Sequence, residues 1–155
     1  MSDSDTAESQ DSQALMAKVV AGLAEEVGLE DLAADESGYC CLEGEDGRVV
    51  HLQREGDELL LMTELGRLPS GEGRLGVVEA LLAANAFWQG TRGATVSCEL
   101  TTDIALIARR LPLIAVDKDG LFAVLEAFLA AAEECRQHLE PSDKEHLRLP
   151  PDEFV

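Results

Sequence analysis

The stretch Leu75 to Trp88, LGVVEALLAANAFW, constrains this chain more than any other. Eleven of its fourteen residues are apolar, and only Gly76, Glu79 and Asn85 interrupt. An amphipathic surface helix carries one apolar stripe and leaves the opposite face polar. Drawn as a helix, this segment places Val78, Leu81, Leu82 and Trp88 on one side and Val77, Ala80, Ala84 and Phe87 over much of the other. At ~1.5 Å per residue it is ~21 Å long, too short to span a bilayer. A helix that is apolar nearly all round needs two partners. One can be the chain's own sheet and the other a second copy of the protein; the alternative is a central helix enclosed within one monomer.

Charge narrows the functional classes. The 155 residues carry 31 acidic and 12 basic side chains, a net of −19. Residues 1–46 hold thirteen of the acids with Lys18 as their sole basic residue, a net of −12. Such a chain repels phosphate backbones and anionic lipid, so neither nucleic acid nor a membrane is an expected partner. The charge serves solubility, or it attracts a basic protein. Cys40, Cys41, Cys98 and Cys135 form no CxxC pair and read as small buried hydrophobes of a reducing cytoplasm. The opening MSDSDTAESQDSQ lacks the basic and apolar regions of a signal peptide, and a cytoplasmic location is expected.

Residues 1–11 lack large apolar side chains beyond Met1 and are expected to be disordered. Asp11 or Ser12 can cap a helix with Leu15, Val19, Val20, Leu23 and Val27 at helical spacing, closed by Gly28. Three short strands follow, Tyr39 to Glu43, Arg48 to Arg54 and Leu59 to Leu65, joined by Asp46-Gly47 and Glu55-Gly56-Asp57 turns. After the central helix, Gly90 to Gly93 leads to strands at Ala94 to Leu100 and Ile104 to Leu111, the second stopped by Pro112. Asp117 or Asp119 caps a last helix through about Leu139, with Phe122, Leu125, Leu129 and Ala132 inward. The order α-βββ-α-ββ-α predicts an α+β domain over residues 12–139, an antiparallel sheet with helices packed on it. From Pro141 the tail is polar and proline-punctuated, and a flexible segment over 140–155 is expected.

Catalytic and cofactor signatures are weak. His51, His138 and His146 fall on a strand, a helix end and the tail, and zinc spacing is lacking. Gly71-Glu-Gly73-Arg-Leu-Gly76 matches GxGxxG by letter without a βαβ unit around it. No cofactor and no metal are expected, and the chain reads as a binding protein rather than an enzyme. The first helix has two apolar edges, and Leu59 to Met62 is apolar on both faces of a strand. Both features either fill the core or offer grooves to an extended peptide.

The acidic α-βββ-α-ββ-α order, the segment LLAANAFWQGTRGATVSCEL (Leu81 to Leu100) and the closing helix LFAVLEAFLAAAEECRQHL (Leu121 to Leu139) resemble class I type III secretion chaperones of the CesT/SycE-like (Tir chaperone) family. The resemblance covers roughly residues 12–139, while the long acidic N-terminus and the proline-containing tail depart from the compact family pattern. It implies a cytoplasmic bacterial homodimer without enzymatic activity. Such a protein holds the N-terminal chaperone-binding segment of a secreted effector extended and export-competent, with the secretion ATPase as a further candidate partner. It places Val78, Leu82 and Trp88 at the dimer interface, and Leu15, Val19, Leu23, Leu61 and Met62 on effector patches. The rival reading is a regulatory or interaction module of the same fold unconnected to secretion.

Overall fold

The structure, a computed structural model, describes residues 3–139. Four helices, α1 (Asp3–Val27), α2 (Gly73–Ala84), α3 (Leu113–Asp119) and α4 (Leu121–Arg136), accompany one five-stranded sheet. The strands are β1 (Tyr39–Glu43), β2 (Val49–Glu55), β3 (Glu58–Arg67), β4 (Thr95–Glu99) and β5 (Ile104–Pro112), in the order β1-β2-β3-β5-β4. This is the expected α+β class, with one helix more. The chain divides into two units: Met1–Thr63 with Ala108–Leu129, and Glu64–Ile107 with Ala130–Val155.

In the first unit β1, β2 and β3 form the expected antiparallel meander. Period-two alternation sends Cys40, Val50, Leu52, Leu61 and Thr63 to one face, where all five are buried. Thr63 is satisfied there by donating its hydroxyl to the Val49 carbonyl at 2.8 Å. The turns are built as their residues dictate: Gly47 and Gly56 take positive φ, and Asp46 accepts from the Arg48 amide at 3.0 Å. Met16, Val19, Val20 and Leu23 of α1 and Phe128 of α4 complete the core. α3 packs along α1, with Lys18 Nζ 3.2 Å from Asp117.

The second unit holds α2, β4 and the ends of β3, β5 and α4. Its firmest polar anchor is Arg136, only 6% exposed. Its guanidinium donates to the Leu65 carbonyl at 3.0 Å and the Glu64 carbonyl at 2.9 Å, and meets Glu133 at 3.1 Å. A buried guanidinium with three partners ties the end of α4 to the end of β3.

Four local expectations need correction. α1 begins at Asp3 rather than at a cap on Asp11 or Ser12, so residues 3–11 are helical. No Gly or Pro interrupts the run to Ala21, and Ala7, Glu8, Gln10 and Gln13 are helix-compatible, so the helix propagates outward although Thr6 to Asp11 are exposed. Leu113–Asp119 forms a separate helix, because Gly120 at φ 89 bends the chain before α4 starts. Within α4, Leu125 and Ala132 are buried as expected, but Phe122 and Leu129 are exposed, and Leu121, Val124 and Phe128 are buried instead. Cys41 is exposed opposite buried Cys40, so it is not a core thiol. The expected flexible tail, 140–155, lies outside the described residues.

Candidate protein-interaction surfaces

The surface of the second unit is built around the end of α2. Asn85 stops the helix by turning its side chain on β4: its Nδ2 donates to the Val96 carbonyl at 2.9 Å, and its Oδ1 accepts from the Val96 amide at 2.7 Å. A short 3₁₀ turn, Ala86–Trp88, follows, with Phe87 at φ 55 and Trp88 at φ 57. The left-handed region is costly for bulky side chains, so such a turn persists only where its surroundings over-determine it. Gly90 is one such determinant: a Cβ there would lie 2.9 Å from the Ala84 carbonyl oxygen. The Trp88 indole N–H adds a hydrogen bond to the Thr95 hydroxyl at 3.3 Å.

This geometry presents apolar side chains outward. Phe87 is 86% exposed, Leu82 63% and Trp88 56%, with Leu75 and Leu100 exposed to a similar degree. On the inner side of α2, Val77 and Leu81 are buried, and Val78 is half-buried. A cavity of about 240 Å³ opens beside them, lined by Leu68, Val78, Leu81, Leu82, Val96, Ser97, Cys98 and Leu100. Residues 73–100 contain Arg74, Glu79, Arg92 and Glu99, a net charge of zero in a chain at −19. Arg74 pairs with Asp103 at 2.8 Å and Arg92 with Glu134 at 2.6 Å.

The three expected interface residues therefore lie on one surface, Leu82 and Trp88 accessible and Val78 lining the cavity. Phe87, Leu75 and Leu100 join them and were not singled out. A continuous helix would put Phe87 on the other side; the Asn85 stop and the left-handed turn re-aim it, and only the Asn85 and Gly90 positions hint at this in sequence.

The first unit offers a different surface. On the sheet face opposite its core, Cys41, His51 and Met62 line up across β1, β2 and β3, and Tyr39, Gln53 and Leu60 form the next row. All but exposed Cys41 are half-buried. The Tyr39 hydroxyl is 2.7 Å from His51 Nδ1, and the two rings stack at 5.9 Å between centroids. β1 is an edge strand, and beside it lies a cleft of about 480 Å³ whose lining includes Leu29, Leu32 and Leu42 together with Glu30, Asp31 and Glu43. Of the expected effector-patch residues, Met62 belongs to this face and Leu15 is half-buried on α1. Val19, Leu23 and Leu61 are buried among the chain's own core, which accounts for their apolar spacing without a partner.

Thiol chemistry has poor footing at the two buried cysteines. Burial pushes the Cys40 thiol up to about 11, and burial likewise raises Cys135. A catalytic cysteine requires the opposite shift. His51 on β2 is engaged by Tyr39 of the neighbouring β1. Among the described residues, no helix is long and apolar enough to cross a membrane.

Comparison with known proteins agrees with this fold. The chain is similar to the structure of the ExsC–ExsE complex, with a TM-score of 0.68 and 21% identity over 82% of this chain and 95% of that one. It is similar to the Yersinia pestis type III secretion chaperone SycH in complex with a stable fragment of YscM2, with a TM-score of 0.61 and 21% identity over 76% and 96% of the two chains. It also resembles the heterodimeric ExoU–SpcU complex of the Pseudomonas aeruginosa type III secretion system, at 0.61 and 20% identity over 81% and 98%. No curated protein matches the sequence. Residues 18–136 match the Tir chaperone protein (CesT) family, most of the chain, and the protein belongs to that family.

Proposed function

We propose that this protein is a cytoplasmic, dimeric type III secretion chaperone that holds the N-terminal segment of a secreted effector extended and export-competent. The observation that carries the reading is the exposed apolar surface of the second unit, beside the half-buried open sheet face of the first, on a fold whose family is one of chaperones. An exposed cluster of Leu75, Leu82, Phe87, Trp88 and Leu100 is more apolar surface than a lone soluble domain exposes without a use for it.

The neutral surface of the second unit, with Val78, Leu82 and Trp88, joins two copies. The open sheet face and edge of the first unit receive the effector, with Leu60, Met62 and His51 as its floor and Leu15 at its border; Val19, Leu23 and Leu61 support that floor from within. An extended segment can add main-chain hydrogen bonds along β1 while its side chains enter the adjoining cleft. The acidic excess of residues 1–46 suits a basic partner, either the bound segment itself or the export ATPase. No chemistry is needed. A segment held extended cannot collapse or aggregate, and its affinity is tempered by the cost of ordering it, so release leaves the chaperone unchanged.

A tagged copy expressed in its source bacterium tests this by capture and mass spectrometry. The expected result is one secreted protein held by its N-terminal region. Met62→Asp is expected to retain the wild-type mass and weaken capture roughly tenfold or more. Unchanged capture would move the binding site off this sheet face, and failure of the wild type to capture a secreted protein would overturn the function.

A further inference from the structure

The second unit carries both a hole and a projecting ring that its own chain leaves unpaired. The hole is the α2–β4 cavity of about 240 Å³. The ring is Phe87, 86% exposed at φ 55. A free chain gains nothing by holding a phenyl ring in water in a strained conformation. Nor can the ring readily fold back, because Asn85 grips Val96 through both atoms of its amide and Trp88 is held to Thr95. Those bonds pin the corner to β4, which is itself a wall of the cavity. Ring and hole are thus fixed at a set separation on one rigid piece.

We propose that in the dimer Phe87 of each protomer seats in the α2–β4 cavity of the other, an exchange that the two-fold axis makes twice. This rests on the dimer reading above and deepens it by naming the side chain that carries the affinity. A two-fold interface uses the same patch on both copies, so a knob and a hole on one patch are both satisfied at once. A second copy is favoured as occupant by charge. Two chains at −19 repel, yet the stretch 73–100, which bears the ring and all of the cavity lining but Leu68, has a net charge of zero. The cavity lining carries no charged side chain, as a buried aromatic seat requires.

Sedimentation of wild type and Phe87→Ala over a concentration series tests the exchange. The side chain is exposed, so the variant is expected to keep the wild-type circular dichroism. Its dimer dissociation constant is expected to rise roughly thirtyfold or more, as for a central aromatic anchor. A wild-type dimer whose Phe87→Ala form associates equally well would overturn the exchange and leave the dimer standing, and so would a loss confined to effector affinity. A wild type monomeric throughout would remove the dimer reading and the exchange with it. A second arm places a thiol on the corner, Phe87→Cys with Cys41→Ser, and treats the protein with a short bismaleimide. The expected product is a covalent dimer that disappears on adding Cys98→Ser. The reaction is run at a concentration where sedimentation shows this variant dimeric; there, cross-linking within one chain, a product independent of Cys98, or no product would each contradict the seat.

Discussion

Glu99 closes β4 with a carboxylate that accepts from the Thr101 amide at 3.2 Å, the Thr102 amide at 2.9 Å and the Thr102 hydroxyl at 2.8 Å, as well as from the Thr101 hydroxyl. The charged form makes all of these bonds, and the two hydroxyls, Thr101 first, hold its pKa down to about 2 from an ordinary 4.5. The linkage follows from a depressed folded-state value. Glu99 contributes stability above pH 4.5, and that contribution is lost as pH falls from 4.5 toward 2. Glu99→Gln is therefore expected to be less stable than wild type at pH 7, with the gap closing progressively across that window in urea melts. A gap independent of pH would show that the carboxylate's charge does not hold this turn.

The helix α2 decides at the scale of elements. Leu82 sits amid its exposed face, so Leu82→Asp is expected to spare the fold by circular dichroism and to yield monomers by light scattering. A variant that stays dimeric would place the interface elsewhere. A charge at an apolar contact is costly because no partner there compensates it. The strands were legible because alternation and Gly-containing turns specify a half-buried meander, and each was foreseen within a few residues. The unforeseen elements have physical causes. The first turns of α1 are polar, and a lack of apolar period reads as disorder even where propensity favours a helix. Leu113-Ile-Ala-Val follows Pro112 as an apolar run too short to show its period. Apolar spacing on α1 could not separate core from patch: Val19 and Leu23 obey the same rule as a binding stripe and are buried. The exposed apolar face of α2 was legible because α2 has more apolar surface than one sheet can cover. The re-aimed Phe87 was not, because it depends on the Asn85–Val96 bonds between residues eleven apart.

Across the whole molecule, charge and apolar surface are sorted. The stretch 73–100 is neutral and bears, among the described residues, the most exposed aromatic side chain, while residues 1–46 carry −12. Like-charged chains can thus meet through one surface and still present an acidic remainder to a basic partner. The proposed dimer would double every proposed effector-facing element, so that one long extended segment could engage both copies with an effective-concentration advantage. The most direct test is native mass spectrometry of the complex captured from the source bacterium. The account predicts two chaperone chains, each 16.7 kDa, with one effector chain. A single chaperone chain bound per effector would contradict it.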